Sequence, residues 1–124
     1  MRYLWVALGG ALGAVARYAL GVWFYDRWGG RIPYGTFVIN VSGSFAIGLI
    51  VAVLDARTSL PVAWRYAVPI GFIGAYTTFS TFELDTIRAV QEGRTGVAIL
   101  NVVLSVVLGY GAVWLGLIAG RQIA

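Results

Sequence analysis

Four long apolar segments dominate the pattern of hydrophobic and polar positions along the chain. They cover residues 3–25, 33–54, 62–91 and 96–120, and each is long enough for a helix that crosses the hydrocarbon core of a membrane, which takes roughly 20 apolar residues. The connections between them are short and contain glycine, proline or charged residues, which interrupt helices. The pattern therefore predicts an all-α membrane protein with four transmembrane helices in one domain, residues 1–124.

The composition agrees with a membrane protein and excludes several classes of function. Of the 124 residues, 60% are hydrophobic and only 11% are charged, and the mean hydropathy is +0.83. A soluble domain carries about 25% charged residues. The chain contains no cysteine and no histidine, so disulfides, thiolate metal sites and histidine-based catalysis are excluded. We therefore expect that the protein is not an enzyme.

The arginines are divided evenly between the two sides of the predicted membrane. With four spans both termini lie on one side, and each side carries four arginines: Arg2, Arg57, Arg65 and Arg121 on one, and Arg27, Arg31, Arg88 and Arg94 on the other. Because the imbalance of Arg and Lys between loops sets the orientation, this chain has no strong signal for either direction. Either the first span decides the orientation, or the chain inserts both ways and pairs with an inverted copy. The arginines stand singly, which argues against nucleic-acid binding.

Each predicted span carries a small set of polar residues, which are costly in lipid and often functional. Most fall into three groups: Thr36, Asn40 and Ser44 at four-residue spacing in the second span, Asn101 and Ser105 in the fourth, and Thr77, Thr78, Ser80 and Thr81 beside Phe79 and Phe82 in the third. Arg17 stands alone in the first span. Such residues also serve as hydrogen-bonding contacts between helices, and small-residue pairs such as Gly9/Gly13 and Gly116/Gly120 let helices approach closely.

The chemistry of this polar set suits a small hydrated anion. Amides and hydroxyls donate hydrogen bonds without charge, phenylalanine ring edges are weakly positive, and Arg17 adds a full positive charge. A cation path would more often be lined by carboxylates, and the acids that follow the cluster are Glu83 and Asp85. Gly71, Gly74 and the adjacent threonines also disfavour a continuous helix. A break over residues 74–80 would free carbonyls that bind a small cation such as Na⁺.

Three motifs resemble the Fluc fluoride channels, also called the CrcB family. They are GGALGAVARY (Gly9–Tyr18), GTFVINVSGSF (Gly35–Phe45) and GFIGAYTTFSTF (Gly71–Phe82), and the similarity extends over the whole chain. Two features depart from the family pattern. Ala75 stands where a second glycine is common, and the fourth span offers Gly109 rather than a further hydroxyl after Asn101 and Ser105. The polar track of that span is therefore either shorter or completed by Tyr110 or by water.

The resemblance implies a fluoride-selective channel that exports the ion passively from the cytoplasm and so lowers its toxicity. It implies a multi-pass protein of the cell (inner or plasma) membrane, an antiparallel dual-topology homodimer, and a third helix broken near the membrane midplane. A structural Na⁺ at the dimer centre would be held by the backbone carbonyls of Gly74 and Thr77. The implied fluoride pore, with the fourth-span and first-span residues included, consists of Asn40, Phe79, Phe82, Ser80, Thr81, Ser105, Asn101 and Arg17.

Two transporters that exchange protons remain as alternatives. A fluoride/proton antiporter would need a titratable group, for which Glu83 and Asp85 are the candidates. A small proton-coupled multidrug exporter would need a carboxylate embedded in the membrane, and the first, second and fourth spans contain none.

Overall fold

The computed structural model describes all 124 residues, and the chain is entirely helical apart from short connections. The helices are α1 (Arg2–Trp28), α2 (Tyr34–Ala56), α3 (Ala63–Arg65, Tyr66–Ile73 and Gly74–Tyr76 in succession), α4 (Phe79–Gln91) and α5 (Thr95–Ile123). Three of them, α1, α2 and α5, are long and apolar enough to cross a membrane. The third apolar segment forms α3 and α4, which are separated by a break. The prediction of an all-α membrane fold with a broken third helix is confirmed.

The break between α3 and α4 consists of two threonines in extended conformation. Thr77 has φ −82° and ψ 156°, and Thr78 has φ −150° and ψ 117°. The hydroxyl of Thr77 donates to the carbonyl of Ile73 at 3.0 Å, while the hydroxyl of Thr78 accepts from the backbone N–H of Thr81 at 3.3 Å and so caps α4. Threonine hydroxyls that bond to nearby backbone groups compete with the helix in this way. The interruption is therefore shorter than the predicted interval of 74–80.

Gly71 and Gly74, which the sequence suggested would weaken the helix, remain helical. Gly74 has φ −60° and ψ −35°. A methyl group on Gly71 would lie against the backbone of α1, at 2.8 Å from the carbonyl oxygen of Val6. The role of Gly71 in this structure is therefore close packing of α3 on α1, and the threonines that follow carry the break.

Most of α3 has the wide turns of a π-helix. This conformation extends over Tyr66–Ile73 and contains Pro69. Proline lacks a backbone N–H and its ring collides with the preceding turn of an α-helix, so a locally widened helix accommodates it. π-Helical turns are rare, and they are frequently found at functional sites.

Close backbone contact at glycines joins the helices in pairs. On α1, a methyl group at Gly9 or Gly13 would overlap backbone atoms of α3, and on α5 a methyl group at Gly116 would overlap the Phe45 carbonyl of α2. Such contacts through small residues are the usual means of helix association in membranes, where lipid weakens the hydrophobic driving force. Glycine contacts thus join α1 to α3 and α2 to α5.

We expect Gly116→Ala to lower the free energy of unfolding by about 1–3 kcal/mol, the typical cost of forcing extra volume into a packed site. The added methyl group meets backbone rather than a flexible side chain, so α2 and α5 must move apart. Thermal unfolding of the purified protein in detergent measures the effect. The matched control is Gly96→Ala in the same helix, where no neighbouring atom lies within 4 Å of the new methyl group. Equal stability of both variants would contradict the packing argument.

Candidate functional site at the helix break

A cleft of about 300 Å³ lies beside the break and collects residues from α2, α3, α4 and α5. The polar side chains in its wall are those of Asn40 and Ser44 of α2, Thr77 and Thr78 of the break, and Ser105 of α5. Its wall also includes the rings of Phe79 and Phe82 and contains no carboxylate and no arginine. Residues more than 60 positions apart in the sequence therefore meet in one cleft of uncharged hydrogen-bonding groups and aromatic rings.

Asn40 is bonded to the backbone of the break in both directions. Its Nδ2 donates to the carbonyl of Thr78 at 2.9 Å, and its Oδ1 accepts from the N–H of Thr78 at 2.8 Å. The side-chain amide of Asn40 thus bonds Thr78 as a neighbouring β-strand would. It satisfies the backbone N–H and C=O of an extended residue that has no helical partners for them. One N–H of Nδ2 is left for other partners.

Gly43 of α2 allows the break to approach this closely. A methyl group at Gly43 would overlap the Thr77 side chain and come within 3.2 Å of the Tyr76 ring. In the sequence GTFVINVSGSF, Asn40 and Gly43 are less than one helical turn apart. The helix therefore places a hydrogen-bonding amide next to a position without a side chain, where Thr77 packs.

The two phenylalanines of the cleft pack against each other. The ring centroids of Phe79 and Phe82 are 5.6 Å apart with a 40° tilt, a separation typical of favourable aromatic pairs. Phe82 is half-buried, but Phe79 is 72% exposed. The first turn of α4 therefore contributes both rings to the cleft wall, and the ring of Phe79 also faces the surroundings of the chain.

Two of the hydroxyls predicted for the pore lie outside the cleft wall. Ser80 is exposed, and the hydroxyl of Thr81 accepts from that of Thr78 at 3.0 Å. Thr81 lines a neighbouring pocket of about 490 Å³ together with Arg17 and Thr36. The structure therefore places Ser80 and Thr81 on other sides of α4 than the cleft residues.

Arg17 of α1 contacts the break from outside the cleft. Its Nε donates to the carbonyl of Ala75 at 3.0 Å, and its side chain is half-buried in the pocket that it shares with Thr81. The guanidinium therefore lies at the break, but on α1 rather than among the cleft residues. Arg17 therefore supplies a hydrogen-bond donor to the carbonyl of Ala75, which has no helical donor because α3 ends at Tyr76.

A chain of hydrogen bonds connects α5 to the backbone of Phe82. Ser105 donates to Asn101 Oδ1 at 3.4 Å, Asn101 Nδ2 donates to the hydroxyl of Thr86 at 2.9 Å, and Thr86 donates to the carbonyl of Phe82 at 2.8 Å. Asn101 is only 8% exposed. Asn101 therefore does not line the cleft but supports its wall through these hydrogen bonds. Ser105 lines the cleft and is also the first donor in this series of hydrogen bonds.

Beyond Ser105 the polar surface of α5 ends. Gly109 lies opposite Ser44, where a methyl group would be 3.8 Å from the Ser44 hydroxyl. Tyr110 is 77% exposed and does not belong to the cleft. Of the two expectations for this helix, a shorter track therefore agrees better with the single chain than completion by Tyr110.

A wider cavity of about 500 Å³ opens next to this region at the ends of the helices. Its charged residues are Arg31, Arg88, Arg94, Asp85 and Glu92. Asp85 accepts a hydrogen bond from the hydroxyl of Thr36 at 2.8 Å, and Arg94 is paired with Glu92 at 2.5 Å. With three arginines against two acids, the cavity carries a net positive charge, which attracts anions.

Comparison with known proteins identifies the family. The sequence model of the family described as "CrcB-like protein, Camphor Resistance (CrcB)" matches residues 4–117, nearly the whole chain and all three motifs. The chain belongs to the CrcB family. The resemblance stated from the motifs is thereby confirmed.

Several curated relatives of this CrcB chain are described as "Fluoride-specific ion channel FluC". One from Acidobacterium capsulatum is 63% identical over 99% of this chain and 98% of its own length. One from Solibacter usitatus is 50% identical over 98% of this chain and its full length. One from Magnetococcus marinus is 46% identical over 99% of this chain and its full length. The similarity therefore covers entire proteins rather than one shared motif.

Thr86 and Gly43 are the two site residues of this CrcB chain that sequence reasoning missed. Thr86 lies four positions after Phe82, a spacing at which a threonine hydroxyl reaches the carbonyl of the preceding turn. That signal was present, but its partner Asn101 is supplied by another helix. Gly43 carried no signal of its own because it lies among other small residues of α2.

Proposed function

We propose that this chain is the subunit of a fluoride-specific ion channel that lets fluoride leave the cytoplasm passively. The observation that carries the proposal is the 63% identity, over nearly the full length of both chains, to a relative described as a fluoride-specific ion channel. The cleft agrees with this function because its polar groups are amides and hydroxyls and its wall contains no acid that would repel an anion.

We propose that fluoride passes along the cleft walls formed by Asn40, Ser44 and Ser105 and by the rings of Phe79 and Phe82. Hydroxyl and amide donors replace the water that fluoride loses, and ring edges supply weak positive potential. The positive cavity with Arg31, Arg88 and Arg94 would gather the anion at one end of this path. In this proposal Thr81 and Arg17 belong to the pathway through the neighbouring pocket rather than through the cleft. Ser80, which is exposed in the single chain, would join the pathway from the surface that the second copy covers.

We further propose that two copies associate in opposite orientations. In the single chain Gly74, Phe79 and Ser80 around the break are exposed. Irregular backbone at membrane depth is tolerated only where protein covers it or where it lines a water-filled cavity, so a second copy is the natural cover. The even division of the arginines removes the barrier to opposite insertion.

A structural Na⁺ between the two copies fits the residues at the break. The N–H of Thr78, which would donate to the Gly74 carbonyl in a continuous helix, donates to Asn40 instead, and the N–H of Thr81 donates to the Thr78 hydroxyl rather than to the Thr77 carbonyl. No side-chain hydrogen bond, and no backbone bond outside the regular helices, ends on the carbonyl of Gly74 or Thr77. Carbonyl oxygens of this kind bind Na⁺ at broken helices. The ion would link the two copies by electrostatic attraction to these oxygens.

The decisive test is fluoride efflux from liposomes. We expect purified protein to release loaded fluoride rapidly and to retain chloride, and we expect a proton ionophore to have no effect once a K⁺ ionophore balances the charge. Equally fast loss of chloride would contradict fluoride selectivity. A requirement for proton movement beyond charge balance would favour the fluoride/proton antiporter, whose candidate groups are Glu83 and Asp85. Protein-free liposomes and heat-inactivated protein are the controls.

A further inference from the structure

We propose that Asn40 is a positioning residue for the cation site, in addition to lining the fluoride path. Its Oδ1 holds the N–H of Thr78 away from the Gly74 carbonyl and thereby keeps that oxygen available for Na⁺. This inference rests on the Na⁺ site of the proposed function. According to this inference, the side chain of Asn40 connects the fluoride path to the cation site.

The hydrogen bonds at the break distinguish two classes of carbonyl. Those of Ala75 and Thr78 each accept from a long polar side chain, Arg17 Nε at 3.0 Å and Asn40 Nδ2 at 2.9 Å. Those of Gly74 and Thr77 accept from neither. Arg17 of α1 and Asn40 of α2 therefore donate to two carbonyl oxygens of the break. The other two, those of Gly74 and Thr77, are left free to bind the cation.

Asn40 acts on Gly74 through the amide of Thr78. In a regular α-helix the N–H at position 78 bonds to the carbonyl at position 74. An amide N–H away from water requires an acceptor, so without Asn40 Oδ1 the N–H of Thr78 would turn to Gly74, the acceptor four residues earlier. The cation site would then lose one of its oxygens in each copy. In an antiparallel dimer two oxygens are lost at once.

The same amide forms part of the cleft wall beside Phe79 and Phe82. Any change that turns the Asn40 amide away from Thr78 would therefore alter the fluoride path and the cation site together. By linkage, occupancy of one site would change the affinity of the other.

The test is the Na⁺ dependence of thermal stability in detergent, measured at constant ionic strength with N-methyl-D-glucamine as the replacing cation. Asn40→Leu keeps the size of the side chain but removes the acceptor. We expect the Na⁺ concentration for half-maximal stabilisation to rise at least tenfold. Asn40→Asp retains an oxygen that accepts from the N–H of Thr78, so we expect its half-maximal concentration to stay within threefold of the wild type or to fall. Both variants would lose fluoride flux, so flux alone could not separate the two roles.

Ser44→Ala is the matched control, because Ser44 lies on the same face of α2 and lines the same cleft but makes no hydrogen bond to the break. It should keep the wild-type response to Na⁺. A wild-type response in Asn40→Leu, or an equal loss in Asn40→Leu and Asn40→Asp, would overturn the inference. Asn40→Ala replaces Asn40→Leu if the latter does not fold. If the wild type transports fluoride but shows no stabilisation by Na⁺, the cation site and this inference are both wrong while the channel function stands.

Discussion

Replacing Asn40 with aspartate should reduce fluoride efflux from liposomes by at least about 100-fold. The substitution places a negative charge in the wall of a cleft that otherwise contains no acid. Two like charges about 4 Å apart interact by roughly 4 kcal/mol at the effective dielectric near a protein surface, and 1.4 kcal/mol corresponds to a tenfold change. The aspartate also cannot donate to the carbonyl of Thr78 as Asn40 Nδ2 does. Initial rates of efflux, measured with a fluoride electrode, give the comparison.

The matched control for this variant is Gln91→Glu. It makes the same change from amide to carboxylate at the exposed end of α4, away from the cleft, and its efflux should stay within about twofold of the wild type. Size-exclusion chromatography should show the same elution for all three proteins. Efflux from Asn40→Asp near the wild-type rate would remove Asn40 from the fluoride path.

Replacing Phe82 with serine should lower fluoride efflux at least about tenfold. Phe82 is the half-buried ring of the cleft, it packs on Phe79 at 5.6 Å, and its backbone carbonyl is held by Thr86. The substitution removes the weakly positive ring edge and the aromatic contact, which is worth about 0.5–1.5 kcal/mol beyond the buried area. The measurement is again the initial rate of efflux from liposomes.

Two further variants separate the chemistry of the Phe82 ring from its volume. Phe82→Leu keeps apolar bulk but has no ring quadrupole, and we expect it to transport fluoride at a rate between the wild type and Phe82→Ser. Phe37→Leu makes the same change in α2, outside the cleft wall, and should leave the rate within about twofold. Full activity of Phe82→Leu would show that the ring edge does not contact the ion.

The positions of Glu83 and Asp85 on α4 argue against the fluoride/proton antiporter. Asp85 accepts a hydrogen bond from Thr36 in the wide cavity that also contains Arg31 and Arg88. Glu83 is exposed and is not part of the cleft wall. A carboxyl group that exchanges protons with the transported ion would need access to that ion, and the cleft contains none.

The two polar residues that looked most suited to an anion, Arg17 and Asn40, have an unexpected feature in common. The sequence suggested that both face the ion, because a cation and an amide are good donors for a small anion. In the structure both donate to carbonyls of the break, those of Ala75 and Thr78. The sequence could not reveal this because the acceptors are backbone oxygens, which become available only when the helix opens. Which of these oxygens receives which donor depends on how α1 and α2 pack against the break.

The sequence by itself determined the class of the protein, the number of apolar segments and a break within residues 74–80, the interval that contains Thr77 and Thr78. Apolar length, the absence of cysteine and histidine, and competition between threonine hydroxyls and the helix are local properties of the chain. Only the tertiary structure decided which polar groups meet. Gly43 sets how closely α2 approaches the break, and that distance decides whether Asn40 reaches Thr78. The packing of α4 against α5 decides whether Asn101 reaches Thr86. A hydrogen bond acts over about 3 Å, so periodicity, which gives only the face of a helix, cannot determine its partner.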